Sequence, residues 1–302
     1  MPFRQMLPSP ALQAIGRDFL ADDATVVRSP RQPGDLTGGT RVTTIHGEHL
    51  AVLARMPQDP VASHLGVAAD ISVAQGIREG LGKGESMLTL SLRVEQLSAP
   101  RSGETLRGAG QLLSAGPTGI VARGVLVGED GRAVAEALGR FMAVDGQGGY
   151  AGSSPESTQQ WGEVAEPQDW ARLLPLEPAG NDDGRFSVIP SADTANSAGI
   201  MHGGIQMRLH ELAAGRMLAA KAAHEGRGEA AQALSRPGSA DGARRAVSIG
   251  TTYHRPVPVD GPPLSVGVEV LKDGRRIAIT QSQVRDPQGR LLGSSEIVWA
   301  RG

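Results

Sequence analysis

Apolar positions along the chain fall into two patterns that recur in the same order. Val67–Glu79 and Ile205–Ala223 are apolar on most sides at helical spacing, and each predicts a helix of about 15 residues. After each come about four strand-like runs divided by turn signals such as Glu129-Asp130-Gly131, Lys272-Asp273-Gly274 and Asp286-Pro287-Gln288-Gly289. Ahead of the helices, Arg41–Met56 and Arg185–Pro190 each supply a first strand. A helix apolar on most sides, followed by an antiparallel meander, predicts an α+β fold with a sheet wrapped around that helix.

The recurrence is a duplication, the first thing to seek in a long chain. Thr89–Ala143 and Ser248–Ala300 carry matching punctuation: Gly103, Gly116 and Gly131 correspond to Gly261, Gly274 and Gly289, with separations of 13 and 15 residues in both sets. Upstream, His64-Leu65-Gly66 matches His202-Gly203-Gly204 at an offset of 138, whereas the glycines match at 158. The 20 extra residues fall in the polar, Gly/Ala/Arg-rich stretch 225–245, which predicts a lengthened loop. Residues 146–182 are rich in Pro, Gly and Ser and predict a linker, with Trp161 and Trp170 packing on a domain edge. The organisation expected is an extension over 1–39, a first domain over 40–145, the linker, and a second domain over 183–302 that holds the insertion.

Composition narrows the function classes. Among 302 residues, 30 Lys and Arg face 32 Asp and Glu, so bulk positive charge is missing and neither nucleic acid nor an anionic membrane surface is an expected partner. Four Phe, three Trp and two Tyr are too few rings for base-stacking platforms. With no cysteine there is no disulfide, thiolate metal site or cysteine nucleophile. No run of about 18 apolar residues is present, and the prolines and Asp of the first twenty residues interrupt what a signal peptide would keep apolar. A cytoplasmic protein is the expectation. His46, His49 and His254 lack the spacing of metal ligands, so no metal is expected.

Chemistry concentrates where the second helix begins. Gly203 and Gly204 uncover their amides and let a ligand approach the backbone. Those amides are among the orphan donors of a helix N-terminus, where the dipole favours negative charge. An oxyanion held there gains about 3–4 kcal/mol per donor; a plain turn opening a helix is the other reading. Glu211, about two turns on, shares a stripe with Met207, Ala214 and Leu218. A carboxylate on such a stripe is costly unless paired or used. It either pairs with Arg208 or Arg216, or acts as a general base or nucleophile.

Asn196-Ser197-Ala198-Gly199-Ile200-Met201-His202-Gly203-Gly204, with Glu211 nine residues after the histidine, resembles the signature of the PaaI/4-hydroxybenzoyl-CoA-type hotdog thioesterases. Ala99-Pro100 with Gly103, and Arg255-Pro256 with Gly261, are similar to that family's second-strand region. The resemblance covers residues 40–145 and 183–302 and implies two hotdog domains in one chain, paired as an internal pseudo-dimer with acyl-CoA thioester sites at the junction. It implies no cofactor beyond the coenzyme A of the substrate, whose phosphates Arg244, Arg245 or Arg255 could meet, and it is compatible with a homo-oligomer of such pairs.

By the same resemblance, Gly203 supplies the polarising amide, Asn196 orients or binds the carbonyl, Glu211 is the catalytic carboxylate, and His202 either supports the loop or acts as a base. The first copy differs. Gln58 stands in the place of Asn196, Leu65-Gly66 in that of the two glycines, and Val73 in that of Glu211. Family sites commonly draw donors and carboxylate from different partners, so one composite site is implied: Gln58 with the amides near Leu65 and Gly66, completed by Glu211. The reciprocal site sets Asn196 and Gly203 against Val73. Asp70, three residues before Val73, either serves that second site as its acid or complements the helix dipole. The activity expected is acyl-CoA thioester hydrolysis. Two alternatives are a non-catalytic acyl-CoA-binding or scaffold protein, and an acyl-thioester hydratase or dehydratase, for which Asp193 and His202 are poorly spaced.

Overall fold

The computed structural model describes residues 41–45, 49–57, 60–81, 86–144, 173–180, 184–195, 199–225 and 244–301. Along the chain these form β1 (Arg41–Ile45), β2 (His49–Arg55), α1 (His64–Leu81), β3 (Ser86–Gln96), β4 (Thr105–Gly116), β5 (Gly119–Val127) and β6 (Ala133–Val144). They continue as β7 (Glu177–Pro178), β8 (Arg185–Val188), α2 (Gly203–His224), β9 (Arg244–Tyr253), β10 (Leu264–Asp273), β11 (Ile277–Arg285) and β12 (Leu291–Arg301). One antiparallel sheet takes all twelve strands in the order β1-β2-β4-β5-β6-β3-β9-β12-β11-β10-β8-β7. Outward from the central β3–β9 pair, where Leu92 faces Thr251 and Val94 faces Ile249, the two sides repeat the same succession. Burial alternates along β11 and most of β12, as it must when one face of a sheet covers a helix.

Among the punctuating glycines, Gly103, Gly131 and Gly289 have positive φ, whereas Gly116 ends β4. Gly131 and Gly289 both have φ 78°, a left-handed conformation that a side chain disfavours, and they sit in the β5–β6 and β11–β12 turns.

Several boundaries differ from the sequence reading. Arg41–Met56 is two paired strands, β1 and β2, because the polar His46-Gly47-Glu48 breaks its apolar run. Ala99-Pro100 and Arg255-Pro256 lie in the connections that precede β4 and β10, and His254 follows β9. Within the stretch read as a linker, Leu173, Leu174 and Leu176 are buried in the core of the α2 side and Glu177–Pro178 pairs with β8. Their apolar side chains gain more from burial than a solvated linker would give them. The 1–39 extension, the rest of the linker with Trp161 and Trp170, and residues 226–243 of the insertion lie outside the described residues. Arg244 and Arg245, read as the insertion's end, open β9.

The two helices sit differently on the sheet. α1 is pressed against β4, β5 and β6 over small residues. A Cβ on Gly76 would lie 2.8 Å from the Gly110 carbonyl oxygen, and Val73 reaches within 2.9 Å of a Cβ on either Gly124 or Gly139. α2 stands further from its strands. Offset by 138, His210 stands where α1 has Ser72; offset by 158, Ser282 stands where β5 has Gly124. These larger groups prop α2 away from its sheet. The helices themselves meet near their starts, backbone on backbone: a Cβ on Gly204 would lie 2.6 Å from the carbonyl carbon of Gly66.

Candidate active site

The start of α2 is built by its own sequence. His202 is extended (φ −61°, ψ 138°), and its Nδ1 accepts the Gly204 N–H at 3.1 Å, capping the helix. Gly203 is the first helical residue, so its amide has no acceptor one turn back. Into this corner comes Asp70 from α1. A Cβ on Gly203 would lie 2.9 Å from Asp70 Oδ2 and 3.3 Å from the Tyr253 hydroxyl, so only glycine leaves the corner open. Asp70 Oδ2 lies 3.6 Å from His202 Nδ1, and Thr89 on β3 donates its hydroxyl to Oδ1 at 3.5 Å. Tyr253, at the end of β9, donates its hydroxyl to the Gly203 carbonyl at 3.0 Å and fixes that peptide.

Burial raises the pKa of Asp70, against the opposing pull of His202, the Thr89 hydroxyl and the Gly204 amide. Burial also pushes the Tyr253 phenol well up, and the neighbouring Asp70 adds to the shift. The Asp70 side chain keeps 12% of its surface exposed, and His202, Gly203, Thr89 and Tyr253 are half-buried, so solvent reaches the corner.

The start of α1 is also led by a histidine, but its amides are closed by the turn before it. The His64, Leu65 and Gly66 amides donate to Val61, Ala62 and Ser63 carbonyls at 3.0 Å each. His64 Nδ1 accepts the Val61 N–H at 2.9 Å. Glu211 reaches this turn from α2. Its Oε2 accepts the Ser63 hydroxyl, the Ser63 amide at 3.4 Å, and Arg208 Nη1 at 3.0 Å. Ser63, His64, Arg208 and Glu211 are all buried. Burial and the Arg208 charge hold the His64 pKa well below the ordinary value, and burial lowers that of Arg208 against the pull of Glu211. By the 138-residue offset, Arg208 stands where α1 has Asp70, and Glu211 where α1 has Val73.

The residues singled out in the sequence thus divide between two corners. His202, Gly203, Gly204 and Asp70 meet at the start of α2. Glu211 meets Ser63 at the start of α1, in an ion pair with Arg208, and the Leu65 and Gly66 amides are taken up by the turn there. Asn196 and Gln58 lie outside the described residues. Asp193 is exposed on the short 3-10 turn Ala192–Thr194. Arg244 is spent on an ion pair with Asp273, and Arg255 donates to the Leu291 carbonyl at 2.8 Å. Sequence reasoning missed Ser63, Thr89 and Tyr253. Only the β3–β9 pairing, which sets Ser91 against Thr252, would have brought the last two to one place. Among the described residues no group of three or more His, Cys, Asp or Glu could hold a metal ion, and no helix is long and apolar enough to cross a membrane.

Solved structures share the arrangement over nearly the whole chain. The tesB protein of Mycobacterium avium subspecies paratuberculosis superposes with a TM-score of 0.57 at 13% identity, covering 88% of this chain and 96% of that one. The acyl-CoA thioesterase II TesB2 of Mycobacterium marinum gives 0.54 at 12%, covering 86% and 95%. The 12:0-ACP thioesterase of Umbellularia californica gives 0.53 at 9%, covering 85% and 96%. At these identities the likeness is one of fold, the hotdog fold, in which an antiparallel sheet wraps a long helix. No curated protein matches the sequence at a significant level. Residues 198–292, which carry the glycine corner, α2 and β9 to β11, match the sequence model of the Thioesterase superfamily.

Proposed function

We propose that this chain is a tandem hotdog protein, with domains over 40–145 and 183–302, that hydrolyses acyl-CoA thioesters at the start of α2. The observation that carries the reading is Asp70, a desolvated carboxylate set against the bare Cα and orphan amide of Gly203. The superfamily match over the α2 side and the names of the fold relatives support thioester chemistry.

In this reading the thioester carbonyl oxygen accepts the Gly203 N–H, which stabilises the oxyanion as it forms. Asp70 takes a proton from water as the water oxygen attacks the carbonyl carbon. Its raised pKa makes it a stronger base than an ordinary aspartate. The tetrahedral intermediate collapses by breaking the C–S bond, and the CoA thiolate leaves and takes up the proton. Thr89 orients the carboxylate, Tyr253 holds the Gly203 peptide, and His202 keeps the helix start in shape. Glu211 is assigned the structural task of tying α2 to the α1 turn.

The test is thiol release from a panel of short, medium and aromatic acyl-CoAs. Asp70→Asn is expected to lower turnover by about 10²–10⁴-fold while the protein stays folded. A full loss in Glu211→Gln with none in Asp70→Asn would move the reaction to the start of α1. Binding without thiol release across the panel would favour a non-catalytic acyl-CoA binder.

A further inference from the structure

Two polar atoms deep on the α2 side have no hydrogen-bond partner among the described residues. His210 is fully buried; its Nδ1 lies 2.6 Å from the Ser282 hydroxyl on β11, and its Nε2 is unpaired. One turn earlier Gln206, 5% exposed, donates its amide to the Met201 carbonyl at 3.3 Å and leaves Oε1 unpaired. Both atoms face Gly293 on β12. A Cβ there would lie 3.3 Å from Gln206 Oε1 and 3.5 Å from His210 Nε2. An unpaired buried acceptor or donor is costly, and two on one helix face one turn apart call for a shared partner.

That partner has a defined chemistry. Burial lowers the His210 pKa to about 3, so the ring is neutral at ordinary pH. When the Ser282 hydroxyl donates to Nδ1, the ring proton sits on Nε2, and the pair offers one donor and one acceptor. A hydroxyl group satisfies both at once. The position also fits the proposed site. Gly293 pairs directly with Tyr253, the residue that walls the Asp70–Gly203 corner. Gln206 and His210 lie about 5–10 Å beyond Gly203 along α2. α2 stands further from its strands than α1 does, and the sheet face there includes polar groups: Ser295 and Thr251, both buried, share a hydroxyl hydrogen bond of 3.2 Å.

We propose that His210 Nε2–H and Gln206 Oε1 bind a hydroxyl on the acyl chain, making hydroxyacyl thioesters the substrate class of the α2 corner. The inference rests on the reading of that corner as a thioesterase site. Its test compares thiol release from decanoyl-CoA with that from decanoyl-CoAs hydroxylated at successive carbons. One positional isomer is expected to exceed the unsubstituted chain by at least about tenfold in kcat/KM, chiefly through KM. Gln206→Met is expected to collapse that ratio, and Ser282→Ala, which frees the histidine tautomer, to weaken it. Equal turnover of all isomers would overturn the inference and leave the two atoms to a buried water. A preference that survives both substitutions would overturn it as well. Thiol release from no thioester at all would bring down the thioesterase reading and this inference together, which sets that failure apart from the others.

Discussion

The two helix starts are built alike in outline and serve opposite ends: the turn before α1 takes up its amides, whereas a histidine side chain caps α2. Each is a histidine-led turn met by a carboxylate from the other helix. At α1 the carboxylate, Glu211, is closed in by Arg208 and Ser63, and its charge is answered by a guanidinium. At α2 the carboxylate, Asp70, has no guanidinium partner of that kind among the described residues, keeps a window to solvent, and faces a bare glycine. A buried ion pair stabilises poorly against an apolar replacement, yet breaking it from one side is costly. A desolvated lone carboxylate is poised to take a proton. On the proposed reading, a helix start becomes reactive through open amides together with the side chain that meets it from the other helix.

Breaking the closed corner from one side should give the largest stability effect. Arg208→Met leaves Glu211 buried without its cation and is expected to cost about 3–5 kcal/mol in urea denaturation. Arg208→Met with Glu211→Leu should recover most of that loss and still release thiol. A folded double variant with no activity would shift the chemistry to α1.

Acid should act next. His64 and His210 are held neutral by burial, with pKa values below the ordinary 6.5. A depressed pKa contributes stability that is complete above 6.5 and lost as pH falls, for His210 toward about 3. Stability should therefore decline below pH 6.5 by up to about 1.4 kcal/mol per pH unit for each histidine. A flat profile from pH 6.5 to 4 would contradict the buried neutral rings.

The open corner is sharpened by Gly203→Ala, whose Cβ would strike Asp70 and Tyr253. Its kcat/KM is expected to fall roughly tenfold to a hundredfold, about 1.4–2.7 kcal/mol, with little change in melting temperature. The smallest effect is one of sign. Asp70 has a raised pKa, so its stability contribution is present in acid and lost as pH rises through that value. Asp70→Asn should melt higher than wild type at neutral pH, and the gap should close in acid. A lower melting temperature at neutral pH would mean that the carboxylate is structural.

Much of the fold could be read because its signals are local. Gly131 and Gly289 mark turns that require positive φ, and the two helices are apolar on more sides than a surface helix allows. His202 is read at the start of α2 with loop support as one of its two roles, and there its ring caps the helix. What no local pattern carries is set between distant elements. The resemblance, rather than any local signal, sets Glu211 against the α1 start and leaves Asp70 as one reading for the α2 start; the crossing of the helices at Gly66 and Gly204 is what brings each carboxylate there. That crossing carries Asp70 to Gly203 and carries Glu211 to Ser63. Thr89 and Tyr253 entered only through strand pairing at the centre of the sheet, which no local pattern encodes.

The unbroken chain has one further consequence at that crossing. Where identical subunits associate, any codon change is copied onto both sides of the axis, so neither side can specialise alone. Here aspartate at position 70 and arginine at position 208 occupy matching places under separate inheritance. On the proposed reading, one corner serves as an anchor while its counterpart carries the acid.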